Sequence, residues 1–191
     1  MIRFAAAKDG AELLEVYAPY VTGTTVSFEY EVPAVEEFRR RVEETSARYP
    51  YLVWEEDGAL LGYAYAHPYA ARPAYQWSAE LTVYLRQGVS RRGLGSRLYG
   101  ALMELLRLQG VRNVYGCITA ENTASVAFHH ALGFREAGRF SQVGYKLDRW
   151  LDVLWLEKAI ASGGEPQPLT PFPQVDREQA LAVLERWSKM K

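Results

Sequence analysis

The sequence predicts an α+β domain, in which helices flank a mixed, mostly antiparallel, twisted sheet. The 191 residues are 49% hydrophobic, enough to bury one sizeable core. Segments of alternating apolar residues, typical of strands, stand between segments of helical periodicity. Their predicted order is β-α-α-β-β-β-α-β-α-β-β. Because this order combines hairpins with a β-α-β crossover, the sheet should be mixed rather than fully parallel.

Two helices are predicted near the N-terminus, after a strand at residues 2–5. Asp9 and Glu12 have the spacing of a capping box and should begin the first helix. Pro33 suits the first turn of the second helix. Pro50 marks its end, because proline disfavours helix in the residue before it.

Alternating apolar residues predict the remaining strands. Asp57-Gly58 separates two of them and is typical of a tight hairpin turn. These strands are expected at residues 51–55, 60–66, 75–85, 113–120, 135–143 and 150–157.

Three helices are predicted in the second half of the chain. A short one covers residues 123–132 and ends at Gly133. The domain is expected to span residues 1–161, followed by a Pro/Gly-rich linker at 162–175. A C-terminal amphipathic helix at 176–191, capped by Asp176 and Gln179, should bury its stripe on this domain or on a partner subunit. The stripe of this helix is Leu181, Val183, Leu184 and Trp187, and that of the longest helix is Leu94, Leu98, Ala101, Leu102, Leu105 and Leu108.

Composition excludes several classes of function. A net charge of −1 argues against a nucleic-acid-binding protein. The single cysteine, Cys117, excludes an internal disulfide and a cysteine-rich metal site, and we interpret it as a packed apolar thiol. No metal site is expected. Because no apolar run is long enough to cross a bilayer, we expect a cytoplasmic protein without a membrane partner.

An anion-binding turn is predicted where the strand ending at Leu85 leads into the longest helix. The first turn of a helix has unpaired N–H groups and a positive dipole end, and glycines let these amides approach an anion closely. The segment lacks the lysine of a Walker loop and the third glycine of a dinucleotide fingerprint. The alternative is that the glycines only make the start of the helix flexible and that the two arginines are solvated. The residues concerned are Arg91, Arg92, Gly93, Leu94, Gly95 and Ser96.

This turn resembles the acetyl-CoA pyrophosphate loop of the GNAT acetyltransferase superfamily, [QR]-x-x-G-x-[GA], with Ser90 at the first position. Residues 120–134 are similar to the N-x-x-S…[YH]-x-x-x-G-F element of the same superfamily. Segments 24–33, 70–85 and 142–158 resemble its phosphinothricin and methionine sulfoximine (sulfone) N-acetyltransferase branch. The resemblance covers residues 1–160. It implies a V-shaped split between two strands that receives acetyl-CoA.

The resemblance also implies catalytic roles. Glu80 would be the base that deprotonates the acceptor amine, although a solvated carboxylate at a strand end is the alternative. His129 would protonate the leaving thiolate, or else it is a packed histidine. The cofactor arm would pair with a strand edge, where one amide serves as oxyanion donor. Asn122 and Ser125 could instead serve as helix-cap residues. The residues expected to bind the arm are Val83, Tyr84, Leu85, Asn122 and Ser125.

For the acceptor, Arg72 could grip an α-carboxylate with its guanidinium. Phe28, Tyr75 and Trp150 could line the side-chain pocket. In the branch resembled, the loop with Lys146 and Arg149 borders the active site near a subunit interface, with a solvated charge pair as the alternative. The expected function is direct acetyl transfer from acetyl-CoA to a small amino-acid analogue by a homodimer. A protein amine as acceptor, or an acyl-CoA-binding module without turnover, are the other hypotheses.

Overall fold

The computed structural model describes residues 1–89 and 92–190, so Ser90 and Arg91 of the anion-binding turn lie outside the described residues. Within these ranges the helices are α1 (Gly10–Gly23), α2 (Val35–Ser46), α3 (Leu94–Gln109), α4 (Thr123–Ala131) and α5 (Arg177–Lys189). The strands are β1 (Ile2–Phe4), β2 (Tyr51–Glu56), β3 (Ala59–Pro68), β4 (Ser78–Leu85), β5 (Asn113–Thr119), β6 (Arg135–Lys146) and β7 (Arg149–Ala159). The predicted order of elements is confirmed.

The described strands form a seven-stranded mixed sheet in the order β1-β2-β3-β4-β5-β7-β6. Neighbours are antiparallel except β4 and β5, which are parallel. The hairpin at Asp57-Gly58 is present, and both residues have positive φ, 52° and 79°. The predicted α+β class is therefore confirmed, with one parallel pair at the centre of the described sheet.

Helices cover both faces of the sheet. Alternate residues of β2 enter two different clusters, because side chains of a strand point to opposite faces. Leu52 and Trp54 pack under α3 and α5, whereas Tyr51 and Val53 pack under α1 and α2. Strands β2 and β3 contribute side chains to both clusters, so they are covered from both sides, and β4 packs beside β3.

The predicted capping box of α1 is wrong. The Asp9 carboxylate accepts a hydrogen bond from the Ala6 N–H (2.8 Å) and pairs with Arg3 Nη1 at 2.7 Å. Glu12 accepts a hydrogen bond from the Leu60 N–H on β3 instead of folding back on the helix. Asp9 is thus bound by residues that precede it and Glu12 by a distant strand, and a 3-10 turn (Ala7–Asp9) precedes α1.

Several predicted boundaries also shift. Pro33 lies before α2 rather than in its first turn, and α2 ends four residues before Pro50. Tyr75 belongs to a 3-10 turn (Pro73–Tyr75), not to β4, because the proline there starts a turn. Leu108 is 37% exposed, since the helical period carries the buried stripe to Leu105, Leu106 and Gln109.

The C-terminal helix packs on its own domain. Ala180, Val183 and Leu184 join the core under α3, whereas Leu181, predicted in the stripe, is 47% exposed. The predicted N-cap is present, because Asp176 Oδ1 accepts a hydrogen bond from the Gln179 N–H at 2.9 Å. None of the helices in the described part of the chain is long and apolar enough to cross a membrane.

Candidate active site

The central feature is a split between β4 and β5. Their described pairing ends at Glu80 and Tyr115, after which the two strands diverge. The Arg86 N–H donates to the Leu61 carbonyl at 2.8 Å, so Arg86 is a hydrogen-bonded position of the β3–β4 ladder. Such positions recur every second residue. The N–H groups of Val83 and Leu85 therefore point away from β3, into the split.

The split opens into a solvent-accessible cleft of about 250 Å³. It brings together residues from β4, β5, α3, α4 and the segment after α1. Sequence reasoning predicted many of these residues separately. Those lining the cleft include Phe28, Glu80, Val83, Tyr84, Cys117, Asn122, Ser125 and His129.

Glu80 lies in the cleft wall with its side chain 19% exposed. Burial raises the pKa of its carboxyl, and the charge of His67, whose Nε2 is 3.7 Å from Oε1, opposes the shift. Desolvation disfavours the charged carboxylate and so makes it a stronger proton acceptor than an exposed one. Glu80 is thus no ordinary solvated carboxylate, and its environment suits general-base chemistry.

His129 is almost fully buried but borders the cleft. Its Nδ1 lies 2.8 Å from the Ser125 carbonyl oxygen. Because a carbonyl only accepts, Nδ1 carries the proton, and the lone pair of Nε2 faces the Tyr99 hydroxyl at 3.2 Å. Burial lowers the pKa of the imidazole, which favours this neutral form.

Tyr99 is a cleft residue that sequence reasoning missed. It follows Leu98 on α3 and lies outside the apolar stripe predicted for that helix, so it was not singled out. Its hydroxyl was the available signal, since a buried tyrosine usually needs a hydrogen-bond partner. The structure supplies that partner, the Nε2 atom of His129.

Cys117 is not the packed thiol that was predicted. It is exposed and lines the cleft. Partial desolvation raises the pKa of the thiol to about 12. The sulfur is therefore protonated at neutral pH, which disfavours a role as nucleophile.

The anion-binding turn is only partly described, since Arg91 lies outside the described residues. Gly93 is the N-cap of α3 with φ +71°, a conformation that favours glycine. A Cβ on Gly95 would lie 3.3 Å from the Phe128 ring. Among the described residues no side chain caps α3, and the amides that an anion would meet in its first turn are those of Leu94, Gly95 and Ser96. Arg92 pairs with Glu56, Nη2 to Oε1 2.7 Å.

Asn122 and Ser125 begin α4 at the cleft. Asn122 Oδ1 accepts a hydrogen bond from the Ser125 N–H at 3.1 Å, as an N-cap does. The cap uses only the oxygen of this amide. Nearby, the Oγ1 atom of Thr119 is buried without a hydrogen-bond partner among the described residues. This end of the cleft therefore keeps polar groups that a bound amide can engage.

The acceptor residues predicted from the sequence separate into two places. Phe28 lines the cleft and packs so tightly on Gly144 that an added Cβ would lie 2.2 Å from its ring. Arg72 and Tyr75 line a different cavity with Tyr69. The structure does not bring them into one cavity with Glu80.

Lys146 is not part of a solvated charge pair. It is 3% exposed, and its Nζ donates to the carbonyls of Val21 (2.7 Å) and Ser27 (2.5 Å). It thereby ties the segment after α1 to the end of β6. Arg149 pairs with Glu121 at the surface (2.7 Å), and Trp150 is 60% exposed.

Comparison with known proteins gives a consistent result. The profile described as "Acetyltransferase (GNAT) domain" matches residues 2–155. The chain is 37% identical over 174 residues to a phosphinothricin N-acetyltransferase of Streptomyces viridochromogenes, covering 91% of this chain and 95% of the relative. It is 30% identical to an L-methionine sulfoximine/L-methionine sulfone acetyltransferase of Salmonella typhimurium, covering 86% and 97%.

A solved structure agrees with these relatives. A GNAT superfamily phosphinothricin acetyltransferase from Sinorhizobium meliloti, in complex with acetyl-CoA, superposes with a TM-score of 0.84 at 30% identity. The match covers 87% of this chain and 92% of that one. Among the described residues no group of three or more His, Cys, Asp or Glu side chains could hold a metal ion.

Proposed function

This chain belongs to the GNAT acetyltransferase family and is an acetyl-CoA-dependent N-acetyltransferase, and we propose that its acceptor is the α-amino group of a small amino-acid analogue. Phosphinothricin, methionine sulfoximine and methionine sulfone are the candidate acceptors, by analogy with the named relatives. The observation that carries the proposal is the cleft, where Glu80 lies beside strand amides left free by the divergence of β4 and β5.

Glu80 acts as the base in this proposal. An α-ammonium with a pKa of about 8 needs only about 1.4 kcal/mol to become neutral at pH 7. A carboxylate whose pKa is raised by burial can take that proton, directly or through one water. The neutral amine then attacks the thioester carbonyl. One proton leaves to solvent for each amide formed.

The free edge of β4 binds and activates the thioester. The Val83 N–H, directed into the split, donates to the oxygen that becomes negative as the amine attacks. Tyr84 and Leu85 continue this edge, along which the cofactor arm lies as an added strand. Asn122 and Ser125 face the arm from α4, and the turn at Arg92, Gly93, Leu94, Gly95 and Ser96 holds its diphosphate.

His129 returns a proton to the leaving sulfur. Its Nδ1–H is held by Ser125, so the transfer uses the Nε2 side that it shares with Tyr99. Neutral His129 first accepts, at Nε2 through the Tyr99 hydroxyl, the second proton that the amine loses as it attacks, and it returns that proton by the same path to the thiolate. Because burial lowers the pKa of His129, the imidazolium gives up its proton readily.

Thiol release tests the activity. Purified protein is mixed with acetyl-CoA and each of the three amino-acid analogues, and free CoA thiol is measured. We expect turnover that falls at least a hundredfold in Glu80→Gln with little change in acetyl-CoA binding. The matched control is Glu178→Gln, an exposed carboxylate on α5. Turnover by Glu80→Gln at the wild-type rate removes the role of the base.

A second acceptor class is a peptide or protein amine. The observation that favours it is the position of Arg72, which lines a cavity other than that of Glu80. Arg72→Ala separates the two possibilities. A large rise in KM for amino acids supports the carboxylate grip, whereas an unchanged KM together with turnover of peptide amines supports the second class.

The proposal also includes a homodimer. The β6–β7 hairpin at the sheet edge carries an apolar surface, the hairpin patch, whose side chains are between 45% and 60% exposed. Exposed apolar patches of this kind mark interaction sites. Light scattering should show a dimer that Trp150→Glu dissociates, whereas Leu181→Glu on α5 should not. The patch consists of Phe140, Val143, Tyr145, Leu147 and Trp150.

The division at residue 161 and the cytoplasmic location remain predictions. The profile match to residues 2–155 supports a catalytic domain that ends before the linker at 162–175.

A further inference from the structure

The C-terminal helix reaches the cofactor turn through one side chain, Arg97. Arg97 Nη1 donates to the carbonyl of Met190, just after α5, at 3.0 Å. Its Nη2 donates to the carbonyl of Arg92, just before α3, also at 3.0 Å. The guanidinium lies 4.3 Å from the centre of the Trp54 ring. One planar group thus joins the end of the chain to the turn at Gly93.

The end of α5 is itself firmly placed. The Trp187 ring lies on Gly100, where an added Cβ would be 2.2 Å from the ring. Trp187 Nε1 donates to Glu104 Oε2 at 2.8 Å, and Arg186 pairs with the same carboxylate. Glycine on α3 therefore permits a close helix–helix contact that holds Met190 where Arg97 can bind it.

We propose that Arg97 is a positioning residue that uses α5 as an anchor to fix the turn for the diphosphate of acetyl-CoA. This rests on the proposed function, in which the first amides of α3 hold that diphosphate. The turn needs support because Gly93 is conformationally free and has the left-handed φ of +71°. An unsupported turn must be ordered when the cofactor binds, and this ordering weakens binding.

The two hydrogen bonds of Arg97 allow a test that distinguishes a positioning role from a purely electrostatic one. Arg97 spans two backbone carbonyls, one on each side, which a lysine ammonium cannot do in the same planar arrangement. If Arg97 only supplied positive charge to the phosphates, Arg97→Lys would restore binding. If it positions the turn, Arg97→Lys should behave like Arg97→Ala.

The test compares two thioesters, acetyl-CoA and S-acetylpantetheine, which lacks the diphosphate. Arg97→Ala and Trp187→Ala should each raise the KM for acetyl-CoA and the calorimetric Kd for CoA by roughly tenfold, the effect of about one charge-assisted hydrogen bond. The kcat and the KM for the amine should stay within twofold, and kinetics with S-acetylpantetheine should not change. Arg107→Ala is the matched control, because Arg107 is another arginine of α3 that donates to a backbone carbonyl, that of Ile160, but at the far end of the helix from the turn.

Each outcome decides one question. An unchanged KM and Kd in both variants, recovery by Arg97→Lys, or an equal loss with S-acetylpantetheine overturns the positioning role. Wild-type protein that binds CoA but acetylates no amine overturns the proposed acceptors, while the CoA titrations still test Arg97. Thermal unfolding of each variant identifies one that fails to fold, and the other variant then decides.

Discussion

Replacing Lys146 with methionine should loosen the segment after α1 and destabilise the protein. Lys146 Nζ donates to the carbonyls of Val21 and Ser27, which belong to residues only 1% and 5% exposed. Val21 lies in the last turn of α1, where carbonyls have no partner within the helix. The lysine thus acts as a C-terminal cap of α1, and its positive charge interacts favourably with the helix dipole.

The size of the effect follows from these two carbonyls. An orphaned buried carbonyl costs about 1–3 kcal/mol, so two cost about 2–6 kcal/mol. Removal of the ammonium recovers part of this, because burial of the charge is unfavourable and lowers the pKa of Lys146. We expect a net loss of about 2–3 kcal/mol in the free energy of unfolding.

Urea unfolding measures this loss, and Lys8→Met, at an exposed lysine, is the control. Ser27 and Phe28 border the cleft, so the KM for the acceptor should rise while that for acetyl-CoA changes little. A free energy of unfolding within 0.5 kcal/mol of wild type would refute the reasoning, since surface substitutions stay in that range.

Three further predictions concern the cleft. The pKa of Glu80 is raised from 4.5 by burial, so its ionisation destabilises the fold as pH rises through the raised pKa. Glu80→Gln should therefore be more stable than wild type at pH 7, with the difference vanishing below pH 4.5 in urea titrations. The pKa of His129 is lowered from 6.5, so stability should fall as pH drops below 6.5, and His129→Gln should lose that part of the dependence. Asn122→Ala removes the cap of α4 and should cost about 1 kcal/mol in the free energy of unfolding, measured by urea denaturation.

Contrary results have distinct meanings. A Glu80→Gln variant no more stable than wild type at pH 7 would mean that burial does not raise the pKa of the Glu80 carboxyl. A pH profile that is the same in wild type and His129→Gln would mean that the imidazole titrates normally. Asn122→Asp should keep the cap of α4. Equal losses of unfolding free energy in Asn122→Ala and Asn122→Asp would therefore mean that Asn122 stabilises the protein through its contacts in the cleft rather than as a helix cap.

Local features were readable from the sequence because each depends on residues close together in the chain. The turn at Asp57-Gly58 follows from the ease with which these residues adopt positive φ. The cap at Asp176 needs only the amide of Gln179 three residues on. The glycine turn before α3 likewise combines backbone freedom with a helix start, so the motif could be recognised although part of it lies outside the described residues.

Only the tertiary structure decided how distant residues meet. Lys146 reaches carbonyls 125 and 119 positions away, and His129 faces Tyr99 30 positions away, distances that no local pattern encodes. The same holds for Glu12, which accepts a hydrogen bond from the Leu60 N–H 48 positions away instead of completing a capping box, and for Arg72, which lines a cavity other than that of Glu80. Sequence alone determined the order of the elements and the residue types that a thioester and an amine require. The divergence of β4 from β5 after Glu80 decided which amides are free, because pairing between strands depends on the packing of the whole sheet.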